Sequence, residues 1–145
     1  MSSGIVVGYD GSEGGKAALR AAFELGRRYG EKVTIAFGYA LSPVGGELHD
    51  YHAALRELAS SRLAEALDLA SADDAPDVEG VVVEQDPAHG LVALAAERDA
   101  RVIVVGTRGE SPVMGALLGS TAHKLLHLSE RPVLVVPVAR GSSAG

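Results

Sequence analysis

Two spacings of apolar residues alternate along the chain. Short unbroken runs rich in valine and isoleucine recur: "GIVVGY" at 4–9, "KVTIAFGY" at 32–39, "VEGVVVE" at 78–84, "RVIVV" at 101–105 and "PVLVVPV" at 132–138. Their length and β-branched content predict buried strands. Between them apolar residues fall three and four apart, the spacing of one helical face. "SEGGKAALRAAFELGRRYG" puts Ala18, Ala21, Ala22 and Leu25 on such a face, with Ser12 as N-cap and Gly30 past the end. A loop with proline and glycine, "ALSPVGG" at 40–46, leads to a second helix predicted over about 47–71, with Leu48, Leu55, Leu58, Leu63 and Leu67 at helical spacing. "ADDAPD" ends it. A third helix is predicted over about 88–99 with Leu91, Leu94 and Ala95 inward, and a fourth over about 119–129. Strands without polar alternation, separated by helices, imply an α/β fold in which helices cover both faces of a parallel sheet. No repeat or linker interrupts the pattern, so residues 1–140 read as one domain and 141–145 as the flexible end of a polar tail.

Composition narrows the classes. With 145 residues, 47% of them apolar and 22% charged, the chain is long enough to bury a core and ordinary for a folded domain. Aromatic residues are scarce, so alanine, valine and leucine must fill the interior. The absence of cysteine excludes disulfides, thiolate metal sites and a cysteine nucleophile. A net charge of -6 argues against a broad nucleic-acid footprint. No apolar stretch approaches the ~20 residues of a membrane span, and "MSSGIVVGYD" lacks the basic and apolar regions of a signal peptide. A cytoplasmic protein that engages neither membrane nor nucleic acid is expected.

One stretch departs from the rest. "GTRGESPVMGALLGST", residues 106–121, spends four glycines directly after a strand. Gly106 and Gly109 stand at a strand end where the backbone must turn, and where a Cβ would keep a ligand at a distance. Gly119 and Ser120 fall where the fourth helix begins. Free amides there, with the helix dipole, favour an anion, and the hydroxyls of Ser120 and Thr121 add donors. The plainer alternative makes Gly119 packing space and Ser120 an N-cap. Two familiar phosphate motifs fail elsewhere. "DGSEGGKA" has Asp10 in place of the first Walker glycine and Ala17 in place of the hydroxyl, and "GYDGSEG" lacks the dinucleotide spacing. Ligands of open parallel sheets sit outside the carboxyl ends of strands. Asp10 lies at such an end, suited to donors on a base or ribose; its alternative is an Asx-type turn.

The spacing Gly106-x-x-Gly109, nine residues, then Gly119-Ser120 resembles the nucleotide motif of the ATP-binding universal stress proteins. "GIVVGYDGSE" resembles that family's first strand and aspartate, and "LLHLSERPVLVVPV" its last helix and strand, so the likeness spans nearly the whole chain. It implies an open five-stranded sheet of order 3-2-1-4-5, like that of the adenine nucleotide alpha hydrolases, with the order reversing beside Asp10 and Gly106. It further implies ATP or another adenine nucleotide as ligand, with magnesium where a triphosphate carries it, and a role in sensing or regulating stress. Asp10, with the backbone around Gly8 and Gly38, would hold the adenine and ribose end. Gly106, Gly109, Gly119, Ser120 and Thr121 would wrap ribose and phosphates, with Arg108 nearby. A homodimer through strand 133–138 is implied as well; "PVLVVPV" is apolar on both faces, and as an edge it would attract another strand, limited by Pro137. Departures are visible. Gly38 replaces a larger apolar residue, Gly8 stands where the family often has proline, and Glu110 replaces a common cation, which would weaken triphosphate binding.

Other candidates are thinner. His123 and His127 are four apart, the spacing of two metal ligands on one helix face, but no third is evident. His49 and His52 read as a solvated helix start and His89 as a cap-region residue. No nucleophile, base and orienting acid come together, so catalysis is limited to the slow ATP hydrolysis or self-phosphorylation that the resemblance allows. The competing reading is an interaction module of the same fold with no nucleotide.

Overall fold

The computed structural model describes residues 4–39, 48–75, 77–107 and 119–138. Nine elements follow one another as β1 Ile5–Gly8, α1 Glu13–Tyr29, β2 Val33–Gly38, α2 Leu48–Ala72, β3 Val78–Val83, α3 Pro87–Arg98, β4 Val102–Gly106, α4 Ser120–Leu128 and β5 Val133–Val136. The strands form one sheet in the order β3-β2-β1-β4-β5, with every neighbouring pair parallel. β1 is central, with Ile5 opposite both Val33 and Val102.

Burial on both faces explains why the strands carry no polar alternation. Ile5, Val7, Ile35 and Phe37 point to one side, where they meet Leu19, Ala22 and Phe23 of α1 and Ala59, Leu63, Ala66 and Ala70 of α2. Val6, Ala36, Ile103 and Val105 point to the other, against Leu91, Leu94 and Ala95 of α3 and Ala122 and Leu125 of α4. The period of two along each strand divides the core into these halves.

Local signals set the helix limits. Ser12 Oγ accepts from the Gly15 amide at 3.0 Å and starts α1, and Gly30 closes it in the left-handed conformation at φ 64°. α3 starts one residue earlier than the pattern suggests, because Asp86 caps it and Pro87 takes the first helical position. It ends at Arg98, with Asp99 turned left-handed at φ 51°. In α2 the leucine pattern misleads. Its buried face is Ala59, Leu63, Ala66 and Ala70, whereas Leu58 and Leu67 are 42% and 39% exposed. Each of those two lies one residue, about 100° of helix rotation, off that face. Alanines occupy it because the helix packs close; a Cβ on Gly80 of β3 would be 3.4 Å from Leu63. The Leu48 side chain lies outside the described residues.

At the amino edge of the sheet, the buried carboxylate of Glu31 accepts from Arg101 Nε at 2.7 Å and Nη2 at 3.1 Å. The Arg101 guanidinium also stacks over the Tyr29 ring, 4.1 Å from its centroid. This tie joins the end of α1 to the start of β4, at the opposite end of the strands from the site below. β3 and β5 are the two sheet edges. Residues 139–145, including the expected tail, lie outside the described residues. No described helix is long and apolar enough to cross a membrane.

Candidate functional site

The chain runs outward from β1 through β2 to β3, then returns to place β4 on the other side of β1. α1, which follows β1, packs on one face of the sheet and α4, which follows β4, on the other; in open parallel sheets such a switch leaves a crevice at the strand ends. The three adjacent strands β2, β1 and β4 all end in glycine, at Gly38, Gly8 and Gly106.

Packing accounts for these glycines. A Cβ on Gly106 would lie 2.5 Å from the Gly14 carbonyl oxygen in the first turn of α1. On Gly8 it would meet Leu91 at 3.0 Å and Val105 at 3.4 Å, and on Gly38 the Pro87 Cα at 3.0 Å. The missing side chains admit the starts of α1 and α3 against the strand ends. At Gly106 the Cβ direction is thus filled by a helix; the sequence suggested approach to a ligand as the reason for glycine there.

Asp10 follows Tyr9 at the end of β1 and sits in an Asx-type turn. Its Oδ1 accepts from the Ser12 amide at 3.0 Å and from the Ser12 hydroxyl at 2.5 Å. Gly11 completes the turn at φ 89°, where a side chain would be strained. The alternative kept open for Asp10 is therefore present, and Ser12 at once caps α1 and holds the carboxylate.

α2 adds two residues that the local sequence did not mark. The Tyr9 hydroxyl donates to Glu65 Oε1 at 2.5 Å, and Arg62 Nη1 donates to Glu65 Oε2 at 3.2 Å. Burial, then the hydrogen bond to Glu65, pushes the Tyr9 hydroxyl above the usual phenol range. The same hydrogen bond holds the Glu65 carboxyl below its ordinary value, against a smaller opposing effect of burial. Neither residue belongs to a motif; only the docking of α2 brings them to Asp10.

α4 starts differently from α1 and α3. Its N-cap is Gly119, extended at φ -70°, ψ 163°, with no side-chain hydrogen bond to the first turn. Ser120 is the first helical residue instead of the cap, and it is exposed. Thr121 is half-buried. The Gly119 carbonyl accepts from the His123 amide at 3.0 Å, while the Gly119 amide donates to the Thr107 carbonyl. The Thr107 amide in turn donates to the Val136 carbonyl at 3.0 Å. Gly106, Gly119, Ser120 and Thr121 are thus held at one end of the sheet, together with Gly8, Asp10 and Gly38. Arg108, Gly109 and Glu110 lie outside the described residues.

The histidines take other parts. His123 and His127 stack edge to face with ring centroids 5.0 Å apart, both exposed. Among the described residues no group of three potential ligands is placed to hold a metal. His89 Nδ1 lies 2.9 Å from Asp86 Oδ2, and Lys124 Nζ of α4 lies 3.1 Å from Asp86 Oδ1. The hydrogen bond to His89 is the main cause that holds the Asp86 carboxyl below its usual range. His52 is half-buried, which a fully solvated face would not give; the His49 side chain lies outside the described residues.

Comparison with known proteins fits this geometry. The sequence profile of the universal stress protein family matches residues 1–137. A universal stress protein of Thermus aquaticus is 30% identical over 94% of this chain and 99% of its own length. One from Mycolicibacterium smegmatis is 31% identical over 92% of this chain but 47% of its own length, so the chain spans about half of that relative. The crystal structure of a universal stress protein in complex with cAMP superposes with a TM-score of 0.71 and 32% identity, covering 96% of this chain and all (100%) of the other. A profile match along nearly the whole chain, joined to the 3-2-1-4-5 sheet, places this chain in the universal stress protein family.

Proposed function

We propose that the chain binds an adenine nucleotide, ATP or a close relative, at the carboxyl edge between β1 and β4, and serves as a sensor or regulator in the stress response. The observation that carries the reading is the start of α4. Ser12 and Asp86 cap α1 and α3, whereas α4 begins at the reversal of strand order with no side-chain cap. Among the described residues no side chain accepts from its first amides, and the helix dipole favours an anionic acceptor there. The cAMP complex of a relative at 32% identity supports a nucleotide as that anion.

In this reading the Ser120 and Thr121 amides and hydroxyls take the phosphate, with Gly106, Gly109, Gly119 and Arg108 around it. Asp10, flanked by the backbone at Gly8 and Gly38, meets donors on the base or ribose. Magnesium would enter with a triphosphate, not through a resident protein site. Glu110 and the acidic net charge favour a nucleotide with fewer charges over ATP, because each added phosphate meets like charge. The Ser12 hydroxyl, engaged in capping and with Asp10, is not poised as a nucleophile, so turnover, if any, is slow and serves as a timer. Two copies would pair antiparallel along β5.

Mass spectrometry of small molecules released by denaturing the purified protein tests the ligand class. An adenine nucleotide at near one per chain supports the reading. A Gly119→Val, Ser120→Ala variant that stays folded should lose nucleotide binding at least tenfold in calorimetric titration, and unchanged affinity would defeat the reading. The competing interaction module predicts an empty chain that takes up neither AMP nor ATP at millimolar concentration.

A further inference from the structure

The turn that carries Asp10 is roofed by a side chain from α2. A Cβ built on Gly11 would lie 2.6 Å from Arg62 Nε and 2.7 Å from its Cζ, so the guanidinium covers the Gly11 backbone. Arg62 is held from the other side by Glu65, and Glu65 by the Tyr9 hydroxyl. Tyr9 is 3% exposed and directly precedes Asp10. A closed circuit results, from Tyr9 through Glu65 and Arg62 to Gly11, around the one peptide segment that orients Asp10 and Ser12. Glycine at φ 89° leaves such a turn readily unless its surroundings keep it there.

We infer that Arg62 is a positioning residue for the nucleotide site, fixing the Asp10–Ser12 turn by covering Gly11 while Glu65 and Tyr9 hold the guanidinium in place. The inference rests on the nucleotide reading of that site. Arginine suits the task because its plane can lie on a peptide while its edge meets a carboxylate; a lysine ammonium offers the charge without the plane. The arrangement makes α2 a wall of the site, although the sequence motif contains no residue of that helix.

The test is calorimetric titration with AMP of the parent and of R62A, R62K, Y9F and the R62A/Y9F double variant, beside amide spectra of the ligand-free proteins. R62A is expected to weaken AMP binding about tenfold and to shift the Gly11 and Ser12 amides, while the Glu31 amide at the far end of the sheet stays in place. R62K should stay about fivefold weaker than the parent, because the ammonium keeps the charge but cannot lie over the Gly11 peptide. Adding Y9F to R62A should cost little more, since both changes break one circuit. AMP affinity of R62A within twofold of the parent, or full additivity of the two changes, overturns the inference. Should R62A not fold, R62K and Y9F carry the test, and parent-like affinity in both overturns it. If the parent itself takes up neither AMP nor ATP, the nucleotide reading has failed; Gly11 and Ser12 amides that do not move in R62A then overturn the clamp separately.

Discussion

Gly106 illustrates what a residue discloses and what it hides. Its place in a glycine-spaced motif was plain from the sequence. Its contact with Gly14 was not, because two glycines far apart in the chain leave no pattern that pairs them. Gly106→Ala would force a methyl group onto the α1 backbone, where neither side can swing away. A loss of about 1–3 kcal/mol is expected, measured by urea unfolding. Gly30 is the comparison. Its Cβ would meet nothing within 4 Å, so Gly30→Ala carries only the strain of φ 64°, about 1 kcal/mol. Equal losses at the two sites would show that the Gly14 contact is not what requires glycine at 106. Asp10 was legible as a turn or a ligand contact. The turn is there, and its partner Ser12 was legible as the cap of α1; Arg62 was legible as neither, since its role arises from packing between elements.

Among the elements, strands were the most readable because a run of valines has one good use in a chain of this length. α2 was the least, because alanine at 59, 66 and 70 carries no hydrophobic emphasis although it forms the buried face. The start of α3 yields a pH-dependent prediction. Asp86 binds a proton less readily in the fold than in the unfolded chain, since the His89 hydrogen bond, aided by Lys124, favours its charged form. Its contribution to stability is therefore complete above the unfolded value near 3.9 and is lost as pH falls through the lower folded value. Asp86→Asn should flatten the acid limb of the unfolding profile below about pH 4, and should lower stability at pH 7 because Lys124 loses its partner. An acid limb identical to the parent's would refute this.

For the whole molecule, alternation of strand and helix made the parallel sheet readable, while the strand order came from the family likeness and is now seen directly. The edges bear on assembly. Leu134, at the middle of β5, is 39% exposed. If copies pair there, Leu134→Lys should convert a dimer to a monomer in sedimentation velocity, since an edge charge opposes strand addition. A monomeric parent would dismiss the pairing. The amino end supplies a prediction about the fold alone: Arg101→Ala removes two of the hydrogen bonds that reach the buried Glu31 carboxylate. The thermal midpoint should fall while nucleotide affinity stays unchanged.

Thr107 lies between the end of β4 and both the β5 edge and α4. Its amide donates to the Val136 carbonyl at the end of β5 and its carbonyl accepts from the amide of Gly119, the N-cap of α4, so one residue ties the sheet edge to the start of that helix. If nucleotide binds beside β4 and copies pair along β5, the two events would be linked quantities. Whatever factor nucleotide applied to the dimerisation constant, dimerisation would return to the nucleotide affinity.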